Sequence, residues 1–146
     1  MLRTTYCLEK PFSLHQISYA SHSYRLPSNF DTYSSDTLET VISDAFLQLL
    51  DLTISTIRCQ PDYPVGSPSY NVIITLEHMH IIPRRQDSHV LQETGEKFSV
   101  NALGFAGMLL AKSEQEVEAV KQESIGKILR GVGLENLSLQ DTIQVE

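Results

Sequence analysis

Residues 69–85 read SYNVIITLEHMHIIPRR, and residues 99–112, SVNALGFAGMLLAK, continue the same apolar theme. Val72, Ile73 and Ile74 are β-branched, Glu77 and His78 interrupt them, and Met79, Ile81 and Ile82 resume the apolar run. Two such runs around a short polar break predict a pair of strands joined by a tight connection, a hairpin ended by Pro83. In the second stretch Gly104 and Gly107 sit inside a strand-like pattern, where glycine lets a backbone bend or approach a ligand closely. Lys112 closes that stretch with a single charge.

Upstream, Leu38, Val41, Ile42, Ala45, Phe46, Leu49 and Leu50 recur every three or four residues, with Glu39, Ser43, Asp44 and Gln48 between them. This period predicts an amphipathic helix from Ser35 or Asp36, either of which can cap it, to about Arg58. Its apolar face is expected to pack on the hairpin. Before it, Phe12, Leu14, Ile17 and Tyr19 alternate with polar residues as in an edge or bulged strand. Residues 26–34, with Pro27, Asn29 and Asp31, read as a surface loop. Pro61, Pro64, Gly66 and Pro68 return the chain from helix to sheet. Residues 86–97 are mostly polar and predict an exposed loop, with a mobile flap as one form of it. Ser113 and Glu116 form a Ser-x-x-Glu capping box. It opens two short helices, or one bent helix, that end at Gly131 and Gly133.

With 146 residues the chain fits one domain, residues 1–133, followed by a flexible tail, residues 134–146. The hydrophobic fraction of 41% and charged fraction of 20% are ordinary for a globular protein, and no apolar run reads as long enough to span a bilayer. The first ten residues lack the pattern of a secretory signal, so a cytoplasmic setting is expected, with a nuclear one as the alternative. Cys7 and Cys59 have no metal-ligand spacing and are expected to be reduced thiols. A net charge of −7 opposes broad nucleic-acid binding, which depends on many phosphate contacts. A small phosphorylated ligand needs only a few donors, and Arg84, Arg85 and Lys112 stand near the hairpin.

The order Tyr70-Asn71, aliphatics, Thr75, a two-residue turn, aliphatics, Pro83-Arg84, then Asn101-Ala102-Leu103-Gly104-Phe105-Ala106-Gly107-Met108-Leu109-Leu110-x-Lys112 resembles the C-terminal part of the ATP adenylyltransferases. These are also called diadenosine tetraphosphate phosphorylases, and the fungal ones are the most similar. The resemblance covers residues 70–131, and residues 10–60 are compatible in arrangement. It implies an α+β fold: an incomplete histidine-triad-like antiparallel sheet covered by one long helix, with short C-terminal helices. It also implies phosphorolysis of a dinucleoside tetraphosphate to ADP and ATP through a nucleotidyl-histidine intermediate.

By position the resemblance assigns Asn101, Ala102, Leu103, Met108 and Lys112 to nucleotide binding. Lys112 suits a phosphate as a point charge. Arg84 and Arg85 follow the strand and are candidates for phosphate contact. The family's nucleophile lies in a His-x-His-x-Gln segment that this sequence lacks, so the chain is expected to be the C-terminal portion of such an enzyme. His78-Met79-His80-Ile81-Ile82-Pro83 resembles the end of the His-x-His-x-His-x-x-Pro motif of smaller histidine-triad hydrolases, with Leu76 in place of the first histidine. That alignment makes His78 a candidate nucleophile and His80 a phosphate contact. No metal site is expected, since His-x-His supplies only two ligands.

The sequence calls for no cofactor, although a divalent metal can accompany the nucleotide. The expected partner is an adenine nucleotide or dinucleoside polyphosphate, with no nucleic acid and no membrane. Self-association, or pairing with an N-terminal half, would complete the sheet. The alternatives are a non-catalytic binding or assembly module, and a shortened fold recruited to a different reaction through His78 and His80. His15, His22 and His89 carry no assigned role.

Overall fold

A computed structural model describes residues 4–7, 19–63 and 66–134. The expected strand over Phe12, Leu14 and Ile17 lies outside them. The chain divides into two compact units, one formed by Ser21–Pro83 and the other by Met1–Ala20 together with Arg84–Glu146.

The first unit is a three-stranded sheet with one long helix. Strands β2 (His22–Arg25), β3 (Ser69–Ile74) and β4 (His78–Arg84) lie in the order β2-β4-β3, with β2 antiparallel to β4. Strand β4 thus runs past Pro83, where the sequence predicted the hairpin to end. Its pairing with β2 reaches only Ile81, so no ladder bond to β2 is asked of the proline's missing N–H. Helix α1 spans Ser35–Arg58. Its cap is Ser34, one residue before the expected position, and the Ser34 hydroxyl accepts from the Thr37 N–H.

Leu49 of α1 packs with Met79 and Ile81 of β4, joined by Ile42, Phe46, Leu50 and Val72, so the helix covers the hairpin as its period predicted. Each such buried side chain contributes about 1.5–3 kcal/mol. At 24 residues α1 is also long and apolar enough to cross a membrane, contrary to the expectation that no run is. Its Ile42, Phe46, Leu49 and Leu50 pack against the sheet, while Leu47 and Leu52 are exposed.

In the second unit, β1 (Thr4–Cys7) pairs antiparallel with β7 (Met108–Ala111), and β5 (Ser88–Val90) pairs with β6 (Lys97–Ser99). Residues 86–97 are therefore no open flap: they hold β5 and the start of β6, and Leu91 between them is fully buried. Strands this short carry too few alternations to register as a period. Residues 99–112 are likewise not one strand. Asn101 caps a single helical turn, α2 (Ala102–Phe105), before β7 begins. Gly107 makes the reversal with φ 102°, a left-handed conformation that favours glycine.

Helices α3 (Glu114–Glu123) and α4 (Ile125–Val132) are separate, broken at Ser124 with φ 75°. Gly131 lies within α4, and Gly133 ends it. Leu134, read from the sequence as the first tail residue, is buried, and its carbonyl accepts from the Ala20 N–H. The apolar centre of this unit holds Phe98, Val100, Phe105, Val117, Ile128 and Val132.

Candidate functional site

The capped turn α2, the strand β7 and the start of α3 together shape a cleft of about 310 Å³ in the second unit. Asn101, Met108 and Lys112 line it, along with Ser99, Val100, Gly104 and Glu116. Ala102 and Leu103 are not among the lining residues: they form the first turn of α2, and Leu103 is 48% exposed. Asn101 Oδ1 is partly used as a cap, accepting from the Gly104 N–H at 3.3 Å. Lys112 is exposed, and its ammonium has no ion-pair partner among the described residues. Its backbone N–H donates to Glu116 Oε2. The sequence signalled Glu116 only as a capping residue. Its spacing of four from Lys112, across the start of a helix, is the signal that places it in the cleft.

Arg84 supports the cleft wall from inside. It is 7% exposed and donates to the Val100 carbonyl at 2.6 Å and to the Gln86 carbonyl at 3.1 Å. Its guanidinium also lies over the Phe105 ring, 5.9 Å from the centroid. Phe105 meets Tyr19 edge to face at 5.0 Å. Arg85 is half-buried, and its N–H donates to the Val132 carbonyl.

His78 and His80 belong to the sheet of the first unit. Met79 and Ile81 face α1, so alternation puts both histidines on the opposite face. Their rings stack 5.6 Å apart, with planes 20° from parallel. His80 Nδ1 shares a 2.6 Å hydrogen bond with Ser23 Oγ, its cross-strand partner on β2. Burial, with a smaller contribution from His78, holds the His80 pKa below its ordinary value. His78 Nδ1 lies 4.0 Å from a Glu77 carboxylate oxygen.

Two histidines without an assigned role prove to be pinned. His22 Nε2 bonds Thr56 Oγ1 at 2.9 Å, tying β2 to α1, and burial lowers its pKa. His89 Nε2 meets Glu123 Oε1 at 2.5 Å, and Glu123 Oε2 accepts the Gln92 N–H, which fastens the β5–β6 hairpin to α3. A Cβ on Gly131 would lie 2.6 Å from His89 Nδ1, so α4 passes the imidazole only as glycine. Nothing in the sequence pattern joins these partners, which are 34 residues apart in each case. Cys59 is an exposed free thiol, and no group of three metal-ligating side chains occurs among the described residues.

The fold is similar to that of yeast Ap4A phosphorylase Apa2. Against the crystal structure of Apa2 in complex with AMP, the TM-score is 0.66 at 21% identity, covering 87% of this chain and 41% of that one. Against a second Apa2 crystal structure the TM-score is 0.61 at 22% identity, covering 82% and 38%. The chain thus spans about two fifths of the length of these relatives. No curated protein matches by sequence. The ATP adenylyltransferase C-terminal domain matches residues 15–135, and over that span, most of its length, the chain belongs to this family.

Proposed function

We propose that this chain supplies one wall of an adenine-nucleotide site and acts in the phosphorolysis of a dinucleoside tetraphosphate to ADP and ATP. The observation that carries the reading is the cleft in which Asn101, Met108 and Lys112 meet. Three positions that the family resemblance ties to nucleotide binding, separated in sequence by a helical turn, line one concave surface. Family membership and the AMP held by the related Apa2 support it. In this reading the Lys112 ammonium takes a phosphate as a point charge, and Met108 offers apolar wall to the base or sugar. Ala102 and Leu103, at the mouth of α2, contact the nucleotide from outside the cleft proper. Arg84 acts on phosphate through the wall it braces, and Arg85 from the end of β4.

A second reading draws on the hairpin. The stacked His78 and His80, with Ser23 orienting His80, are the groups a nucleotidyl transfer would use if the chain catalyses alone. His78 would then displace the polyphosphate leaving group and form the nucleotidyl-histidine, and orthophosphate would release ADP.

The test is calorimetric titration of the purified chain with AMP, followed by incubation with diadenosine tetraphosphate and phosphate. AMP binding that weakens about 10- to 100-fold in Lys112→Ala is expected for loss of a charged phosphate contact. A chain that does not bind AMP overturns the reading. Turnover that vanishes in His78→Ala supports the second reading, and turnover untouched by that change overturns it.

A further inference from the structure

Glu116 is a carboxylate only 3% exposed, yet it lines the cleft. One oxygen, Oε2, accepts the Lys112 N–H. The other, Oε1, has no hydrogen-bond or ion-pair partner among the described residues. No side-chain polar atom among those residues is both sealed from solvent and without a partner. Oε1 is therefore reached by solvent, on a side chain that lines the cleft. Two side chains of opposite charge thus line the cleft, Lys112 and Glu116, and among the described residues they do not pair with each other.

We propose that Glu116 is a ligand-binding residue whose Oε1 accepts a hydrogen bond from a sugar hydroxyl of the nucleotide whose phosphate Lys112 holds. The inference rests on the nucleotide reading above and extends it to the ribose. An ionised oxygen is a strong acceptor, and a ligand O–H donated to it makes a charge-assisted hydrogen bond in place of one to water. The hydrogen bond from the Lys112 N–H fixes the carboxylate beside the root of the lysine. The ammonium is then no farther away than an extended lysine side chain. In a mononucleotide the sugar hydroxyls lie that near the phosphate, while the amine of the adenine ring is at the far end. A metal ion fits less well, because Glu116 is the sole acidic residue among the described residues that line the cleft and a hard cation takes several oxygens.

The experiment compares AMP, 2′,3′-dideoxy-AMP and inosine monophosphate in calorimetric titrations of the full chain and of Glu116→Gln. The glutamine keeps an oxygen for the Lys112 N–H but replaces the free acceptor with a donor. The unmodified chain is expected to bind the dideoxy nucleotide about 10- to 100-fold more weakly than AMP, the range of a charged hydrogen bond. Inosine monophosphate should bind as AMP does, and in Glu116→Gln the dideoxy penalty should collapse. Equal affinity for AMP and its dideoxy form, a penalty unchanged in Glu116→Gln, or a loss confined to inosine monophosphate overturns the ribose contact alone. Failure to bind AMP at all overturns the nucleotide reading and this inference with it. The comparison of ligands on the unmodified chain holds even if the variant does not fold.

Discussion

Arg84 carries its charge at 7% exposure, which is tolerable because its donors are matched to the carbonyls of Val100 and Gln86. Lysine has a charge but no planar fork, so Arg84→Lys should destabilise the fold by about 1–3 kcal/mol, read from urea unfolding. An unchanged midpoint would remove Arg84 from its supporting role. Glu123 is a further charge held by its partners. Burial raises its pKa, but the hydrogen bonds from His89 and the Gln92 N–H, with the charges of His89 and Lys127, outweigh that and bring it below the ordinary 4.5. A carboxyl depressed by folding stabilises above its unfolded pKa and loses that contribution as pH falls through the folded value. The unfolding midpoint should therefore drop below about pH 4.5, and in Glu123→Gln that acid-side drop should be smaller. Parallel pH profiles for the two proteins would contradict this linkage.

At the scale of elements, α1 is tied down at its start and its middle. Removing the Ser34 hydroxyl as Ser34→Ala should cost about 0.5–2 kcal/mol, whereas Leu49→Ala, in the contact with Met79 and Ile81, should cost about 2–5 kcal/mol. Chemical denaturation of the two variants side by side tests the order, and a cap more costly than the core would reverse this account of α1. Strands β2 and β4 contribute a pH dependence of their own. His22 and His80 are both held below the ordinary value of 6.5, by burial and, for His80, by His78 as well. The folded sheet then binds fewer protons than the unfolded chain. Its stability is complete above pH 6.5 and declines as pH falls towards the lowered folded values. His80→Gln should flatten that decline in a urea midpoint measured from pH 7.5 to 5. An identical slope in the variant would sink the assignment to His80.

For the whole molecule, a net charge of −7 and a local lysine act on different ligands. On the proposed reading a phosphorylated small molecule would meet the cleft, whereas a polyanion would meet the overall field. AMP at one hundred times its Kd should stabilise the chain by about 2.7 kcal/mol, seen as a rise in Tm, while duplex DNA at physiological salt should give no shift. A DNA-induced shift larger than that of AMP would invert this picture. Whether phosphorolysis proceeds in this chain is a separate matter from binding, since it spans 41% of the Apa2 chain solved with AMP. A nucleophile must be positioned as well as the phosphates held.

Long apolar periods and punctuation could be read directly from the residues. Seven apolar positions at helical spacing gave α1 within one residue of its cap, and the β-branched runs around Glu77 and His78 gave β3 and β4. The ordered block from Asn101 to Lys112 gave the family, and the Ser113 cap gave the start of α3. These are local patterns, set by propensity and by which side chains avoid water. Contacts between distant segments had no such pattern. The three-residue strands β5 and β6 are too short to show a period, and their burial of Leu91 depends on what packs over them. The pairing of His89 with Glu123, the carbonyls that claim Arg84, and the meeting of Asn101, Met108, Lys112 and Glu116 in one cleft exist only once the chain has brought those segments together. A side chain's partners are a property of the packed chain, because burial removes water and leaves each polar group to whatever donor or acceptor the fold sets beside it.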